Sequence, residues 1–252
     1  MGGGQVNSLD TILYQKTGAI AWITLNRPKF LNAYNTAMRD SLYQVLEAVR
    51  DDPDIRGAVL SGSGERAFCA GADLNEFGSA PSQVIARHVR WQRDVWGLFI
   101  NSEKPIVAAL HGYVLGSGME MALLCDFRIA SDDACFGLPE AYLGLVPAAG
   151  GTQTLPRIVG LSPALDLLLT GRKISAQEAY NYGLVNQVVL RKHLLQKARG
   201  LLEKVIRHDP NAVRLAKRAV FQGIELPIAK ALELEQRLAK QLEGNPLGRK
   251  QA

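Results

Sequence analysis

The sequence has few residues of the types that build disulfide frameworks and metal sites. The cysteines have neither paired spacing nor an even count, which indicates a reducing compartment. The histidines are scattered without the spacing of metal ligands. We therefore expect a cytoplasmic protein that binds no metal. The residues concerned are Cys69, Cys125 and Cys135, and His88, His111, His193 and His208.

Long apolar runs are also missing. No stretch of the 252 residues approaches the ~20 apolar residues of a membrane span. The start, MGGGQVNSLD, has neither the basic region nor the apolar core of a secretory signal. We expect no membrane association, and we interpret residues 1–10 as a flexible tail.

The sequence lacks a strong charge of one sign. Its net charge is +5, and the basic residues are dispersed. Short basic groups such as RKH at 191–193 lie in sequence with helical spacing and are typical of a solvated helix face. A surplus of this size suits an anionic small ligand as well as nucleic acid, so composition alone leaves both open.

What is present is an alternation of apolar strands and amphipathic helices. AIAWITL at 19–25, RGAVLSG at 56–62 and KPIVAALHG at 104–112 predict buried strands. TAMRDSLYQVLEAVRDD after Asn35 and SQVIARHVRWQRDVWGLFINS at 82–102 have helical spacing. From Ser162 onward the sequence predicts mainly helices, with glycines at 171 and 183 where helices are expected to stop. The alternation predicts an α/β core followed by a helical C-terminal region.

Three known motifs, two for nucleotide binding and one for a catalytic nucleophile, are incomplete or missing in the sequence. GSGERA at 62–67 follows a strand, but no helical period opens there and no acid stands ~20 residues on, as a dinucleotide site requires. LGSGM is not a nucleophile elbow, because Leu115 replaces its first glycine. A phosphate-binding G-x-x-x-x-G-K-[ST] loop does not occur.

Two glycine-rich segments remain as candidates for backbone hydrogen-bond donors. In FCAGADL at 68–74 and GYVLGSGMEMALLCD at 112–126, small residues allow a ligand to approach the main chain. The second segment leads into a helix, whose first N–H groups are free and lie at its positive end. Such donors stabilise a developing enolate or oxyanion.

Two acids stand in apolar surroundings beside these segments. Glu120 falls in the first turn of the predicted helix, and Glu140 follows a proline in LPEAYLG. Each taken alone is typical of a helix cap or a surface charge. Apolar flanks such as Met119, Met121 and Leu138 weaken that interpretation, because a buried acid without a partner is costly.

The chain resembles the crotonase, or enoyl-CoA hydratase/isomerase, family from about Thr11 to about Glu235. Several blocks match in the family's order, which makes the resemblance specific. They are ITLNRPKFLNAYN at 23–35, AFCAGADL at 67–74, PIVAALHGYVLGSGMEMALLCDFRIAS at 105–131, FGLPEAYLGLVPAAGGTQTLPRIVG at 136–160 and LTGRKISAQEAYNYGLVNQVV at 169–189.

The resemblance implies the architecture of the family. This is a spiral of ββα turns that binds acyl-CoA, here over 11–190, followed by a helical region, here over 191–252, that builds homotrimers, often paired into homohexamers. It also implies that Glu120 and Glu140 are the two catalytic acids of the hydratase branch. The backbone N–H groups of Ala72 and Ser117 match the family's oxyanion hole, although many relatives have glycine in place of Ser117.

The reaction implied is the reversible addition of water to a trans-2-enoyl-CoA, which gives a 3-hydroxyacyl-CoA in fatty-acid or related acyl-CoA degradation. No cofactor is expected, because the acyl-CoA thioester is itself the activated substrate. We expect CoA to lie along the backbone from Ala70 to Asn75, a stretch that includes Asp73 and Leu74, with Lys29 near its phosphates.

Two alternatives stay open at this point. An enoyl-CoA isomerase of the family would keep only the second acid, and other members use other residue sets. A non-catalytic RNA-binding or scaffold role is disfavoured, because two acids beside an oxyanion hole would repel phosphate. The chain departs from the family in its short end, EGNPLGRKQA, which leaves acyl-chain preference open.

Overall fold

The computed structural model of the chain describes residues 6–76, 82 and 91–242. Within them lie eleven strands and nine α-helices. The strands are β1 Val6–Leu9, β2 Ile12–Thr17, β3 Ile20–Leu25, β4 Gly57–Gly62, β5 Ala67–Cys69, β6 Ile106–Leu110, β7 Tyr113–Leu115, β8 Phe127–Ser131, β9 Cys135–Gly137, β10 Ile174–Ser175 and β11 Gln187–Val189. The helices are α1 Thr36–Asp51, α2 Val95–Ile100, α3 Ser117–Leu123, α4 Gly151–Val159, α5 Leu161–Thr170, α6 Ala176–Asn181, α7 Leu194–Ile206, α8 Pro210–Gly223 and α9 Ile228–Lys240.

From β4 to β9, successive strands alternate between two sheets. One sheet has the order β1-β2-β3-β4-β6-β8-β11, and the other has the order β10-β9-β7-β5. From β3 onward the strands of the first sheet are parallel, as are β5, β7 and β9 of the second. Each turn of the chain therefore gives one strand to each sheet before a helix follows, which is a ββα spiral.

The buried pattern of each element explains why it forms. All five residues of β6 are buried, as expected for a central parallel strand covered on both faces. Helix α1 buries one apolar face, and the Asn35 side chain caps it by accepting a hydrogen bond from the Met38 N–H (2.9 Å). The buried residues of that face follow the helical period: Met38, Leu42, Val45, Leu46 and Val49.

Two predictions of local structure need correction or restriction. Part of the predicted tail over 1–10 is a strand: Val6–Leu9 pairs with β2 through a two-residue turn, so local hairpin closure orders the backbone there. Residues 1–5 lie outside the described residues. So do 83–90 of the helix predicted over 82–102, whose described part contains α2, capped by Asp94. The short C-terminal segment after Leu242 also lies outside them.

The chain divides into two compact units, Met1–Leu202 and Glu203–Ala252. The first holds both sheets and their main apolar core. The second contains α8 and α9, which pack together around Leu215, Leu234 and Leu238. The chain after Ser162 is mainly helical, as predicted, and Gly171 ends α5 in the left-handed conformation (φ 62°). Among the described helices, none is long and apolar enough to cross a membrane.

Candidate active site

Two main-chain segments meet at the centre of the site. One is the turn after β5, which contains Gly71 and Ala72, and the other is the β7–α3 junction, which contains Gly116 and Ser117. A Cβ on Gly71 would stand 3.5 Å from the carbonyl oxygen of Leu115 and 3.9 Å from Cα of Gly116. The two predicted oxyanion donors therefore lie on adjacent segments of the main chain.

The Ala72 N–H is turned away from its neighbouring chain. Residue 72 forms an isolated parallel bridge with Tyr34, in which the Tyr34 N–H donates to the Gly71 carbonyl and the Asp73 N–H donates to the Tyr34 carbonyl, both at 2.8 Å. A parallel bridge of this kind uses the groups on either side of residue 72 and leaves its own N–H on the opposite side.

The Ser117 N–H is the first of helix α3. First-turn N–H groups have no partner within their own helix, so this donor is available to a ligand. Gly116 precedes it with φ 49° and ψ −125°, a conformation suited to glycine. Both Ala72 and Ser117 are only half-buried, which leaves their N–H groups within reach of a substrate.

Glu120 lies in the first turn of α3, as predicted, and is 2% exposed. One carboxylate oxygen, Oε1, accepts hydrogen bonds from the backbone N–H groups of Ala149 (2.8 Å) and Gly151 (2.9 Å). Sequence reasoning missed these two residues. Backbone donors have no side-chain signature, and the run of small residues in PAAGG was the only sign of close main-chain approach.

Glu140 reaches the same place from a different element. It lies in the 3-10 helix Pro139–Leu143, and its Oε1 would stand 2.8 Å from a Cβ on Gly116. Its Oε2 is buried and has no hydrogen-bond partner among the described residues. Burial raises the pKa of the Glu140 carboxyl, and the negative charge of Glu120 raises it further. The fold thus brings together two acids that are twenty positions apart in the sequence.

The segment predicted to bind CoA borders the Ala72 turn. Lys29 is exposed in the 3-10 helix Pro28–Phe30, and the Ala70 N–H donates to the Leu31 carbonyl (3.0 Å), which ties the two segments together. Asn75 is exposed, and Leu74 is 55% exposed. Residues 29, 70 and 72–75 therefore lie on neighbouring segments at the edge of the site.

The carboxylate of Asp73 is paired with another side chain of the protein. Its carboxylate forms an ion pair with Arg27 (3.0 Å), and both side chains are largely buried. The Arg27 guanidinium holds the pKa of the Asp73 carboxyl below its ordinary value. The Arg27 Nη1 also donates to the Ala33 carbonyl (2.5 Å). The pair braces the turn that carries Ala72, a contribution that the sequence does not reveal.

Cys69 lies beside the site but is not reactive there. It is fully buried at the end of β5, and burial raises the pKa of its thiol to about 12. Within the part of the chain that the structure describes, no group of three or more His, Cys, Asp or Glu side chains is arranged to hold a metal ion.

Comparison with known proteins agrees with this geometry. The sequence model of the enoyl-CoA hydratase/isomerase family matches residues 15–245. The chain is 41% identical over 235 residues to a probable enoyl-CoA hydratase of Rhizobium meliloti, covering 93% of this chain and 90% of that protein. It is 38% identical over 227 residues to the short-chain-enoyl-CoA hydratase of Clostridium acetobutylicum, covering 90% and 87%.

A solved structure shows the same fold. The crystal structure of an enoyl-CoA hydratase from Bacillus anthracis superposes with a TM-score of 0.86 at 39% identity, covering 92% of this chain and 90% of that one. The chain belongs to the enoyl-CoA hydratase/isomerase family. The predicted family and its ββα spiral are confirmed.

Proposed function

We propose that the protein is an enoyl-CoA hydratase that adds water reversibly to a trans-2-enoyl-CoA to give a 3-hydroxyacyl-CoA. The observation that carries the proposal is the pair of carboxyls, Glu120 and Glu140, placed beside the free N–H groups of Ala72 and Ser117. The names of the relatives, which include hydratases of short-chain enoyl-CoA, support the same reaction.

The two N–H groups act on the thioester. With its carbonyl oxygen between Ala72 and Ser117, the enoyl group is polarised, and its β-carbon becomes electron-poor. When water adds there, the π electrons move onto the carbonyl oxygen and form an enolate. Donors already aimed at that oxygen stabilise the enolate without reorganising, and each typically contributes ~3 kcal/mol.

The two acids divide the proton transfers. Glu120 takes a proton from water as the new C–O bond forms at the β-carbon. Glu140 then delivers its proton to the α-carbon, and the thioester carbonyl reforms. The raised pKa of Glu140 fits the proton donor, because a carboxyl must be protonated at the start of this step. The chemistry needs no redox or metal cofactor, since the thioester and the N–H donors provide the activation.

CoA is proposed to lie along the backbone from Ala70 to Asn75. The Arg27–Asp73 pair supports this placement, because it neutralises the carboxylate that would otherwise repel the CoA phosphates. Lys29, exposed nearby, would attract those phosphates as a solvent-screened charge. The reaction would serve fatty-acid or related acyl-CoA degradation.

The decisive experiment follows crotonyl-CoA with the purified protein. We expect a loss of absorbance at the enoyl thioester band and a product heavier by one water. Glu120→Gln protein, prepared in the same way, is the matched control for a contaminating hydratase. If the wild-type protein left crotonyl-CoA unchanged but converted a 3-enoyl-CoA into a 2-enoyl-CoA, it would be an isomerase and the proposal would fail.

A further inference from the structure

The loop Pro147–Gly151 holds one oxygen of Glu120 through its main chain. The N–H groups of Ala149 and Gly151 both point at Oε1, at 2.8 and 2.9 Å. With two strong contacts on one oxygen, the carboxylate of this helix residue has a fixed orientation.

Position 151 has little space for a side chain. A Cβ there would stand 3.1 Å from Oε1 of Glu120, 3.2 Å from its Cγ and 3.0 Å from Cβ of Pro147. Each distance is shorter than ordinary contact, and the neighbours are held on a helix and by a proline ring. A methyl group at 151 would therefore displace the Glu120 carboxylate.

The Gly151 contact comes from the start of a helix. Gly151 is the first residue of α4, so its N–H belongs to the positive end of a nine-residue helix. The titratable groups on elements packed against α3 are Cys69 on β5, Tyr113 on β7 and Arg157 on α4. Glu140, on the 3-10 helix, is the neighbouring acid, and its pKa responds to the charge of Glu120.

We propose that Ala149 and Gly151 are positioning residues, whose backbone N–H groups hold Oε1 of Glu120 and so fix the orientation of its carboxylate toward the substrate water. This inference rests on the proposed hydratase function for its kinetic consequence. The hydrogen bonds themselves can be tested without any activity.

The kinetic test is a double-mutant cycle between Gly151→Ala and Glu120→Gln. Gly151→Ala should lower kcat for crotonyl-CoA hydration roughly tenfold or more, in the range of a misplaced catalytic contact, with KM within about twofold. In the Glu120→Gln background the same substitution should change the residual rate by less than about twofold, because the group through which it acts is gone.

Gly200→Ala is the matched control. It adds the same methyl group inside helix α7, where nothing lies within 4 Å of the new Cβ, and should leave kcat and KM unchanged. Equal losses from Gly151→Ala in the wild-type and Glu120→Gln backgrounds would mean that the loop acts on folding rather than on Glu120, and the inference would be wrong.

A second measurement uses the wild-type protein and needs no activity. The amide proton signals of Ala149 and Gly151 should follow the titration of the Glu120 carboxyl in an NMR pH series, and this response should vanish in Glu120→Gln. The Gly200 amide should not respond. Signals of Ala149 and Gly151 that ignore the state of Glu120 would overturn the inference, whereas absent hydratase activity with responsive amides would overturn only the proposed function.

Discussion

At the scale of single residues, the site is a pair of carboxyls with unequal surroundings. Glu120 receives two backbone N–H groups on one oxygen, whereas Glu140 has a buried oxygen with no partner among the described residues. Unequal surroundings separate the proton affinities of two acids, and a pair separated in this way can supply one base and one acid to the same reaction.

Replacing either acid by glutamine should abolish most of the hydration. Glu120→Gln and Glu140→Gln keep side-chain size but remove proton transfer, which typically contributes 10²–10⁴ in rate, so we expect a loss of at least ~100-fold in each. Acetyl-CoA affinity, measured by calorimetry, should change little. The double variant should lose far less than the product of the two effects, because the pair acts on one water. Full activity in Glu120→Gln would contradict the assignment of roles.

His111 makes the fold sensitive to acid. It is 3% exposed, and its Nε2 has no hydrogen-bond partner within the described residues. Burial and, to a smaller extent, the charge of Arg191 lower its pKa from the ordinary 6.5 to about 4, against the opposing effects of Asp133, Glu65 and a hydrogen bond with the Gly64 backbone. Between these two pH values the unfolded chain binds the proton and the folded chain does not, so stability falls as pH decreases from about 6.5 to about 4.

We expect His111→Gln to reduce this loss. Denaturant unfolding at pH 7 and at pH 4.5 should give a smaller drop in the free energy of unfolding for the variant than for the wild type, by on the order of 2 kcal/mol. His193, exposed in the 3-10 helix Arg191–His193, provides the control, and His193→Gln should keep the wild-type dependence on pH. Parallel curves for wild type and His111→Gln would show that other groups cause the acid sensitivity.

At the scale of secondary-structure elements, the start of α3 sets the distance between the backbone N–H donors of the oxyanion hole and the carboxyl of Glu140. Gly116 enters the helix with a positive φ, and a Cβ there would stand 2.8 Å from Glu140 Oε1 and 3.4 Å from Cα of Gly71. Both the oxyanion segment and the second acid therefore pack against a residue without a side chain.

Gly116→Ala should consequently impair catalysis more than folding. The backbone strain costs about 1–3 kcal/mol, and the methyl group pushes Glu140 away from the substrate. We expect kcat to fall by ~100-fold or more, comparable to the loss of general acid catalysis, with a melting temperature lowered by several degrees. Gly18→Ala, which also replaces a glycine of positive φ but has nothing within 4 Å, controls for the strain alone. Similar kcat losses in both variants would contradict this role of Gly116.

Elements with a clear period were predictable from the sequence, and contacts made by the main chain were not. Helix α1 buries the five residues that its spacing marks, and β3, β4 and β6 fall within the predicted runs. The two acids could be recognised because they interrupt apolar sequence and because their positions match those of the family's catalytic acids. The N–H groups of Ala149 and Gly151 could not, because they belong to residues without functional side chains. The Arg27–Asp73 pair joins positions 46 apart, and only the fold brings them into contact.

At the scale of the whole molecule, several apolar surfaces are exposed in the described part of a single chain. Leu161, Leu165 and Leu169 form an i, i+4, i+8 stripe along α5, and Leu169 is 73% exposed. In the second unit, large apolar side chains are also exposed on α8, α9 and their connection: Val220, Phe221, Ile224, Leu226, Ile228 and Leu232. Extended apolar surfaces of this kind are typical of protein interfaces.

We therefore predict that the protein assembles as a homotrimer or as a homohexamer. Light scattering coupled to size-exclusion chromatography should give three or six times the mass of the chain at micromolar concentration. Leu165→Glu, in the middle of the α5 stripe, should shift the protein toward smaller species, whereas Glu103→Gln, at an exposed position between α2 and β6, is the control and should not. A stable wild-type monomer would contradict the prediction.

The interleaving of strands between two sheets also governs how the chain can fold. Strands that are neighbours in a sheet are distant in the sequence: Ala58 pairs with Ile106, and Ile129 pairs with Gln187. Closing such long loops costs chain entropy before any contact offsets it, so a high contact order slows folding. The β1–β2–β3 meander is the local exception. The proposed acid pair and oxyanion donors come from three separate stretches of chain, so activity should be recovered late in refolding, after the meander has formed.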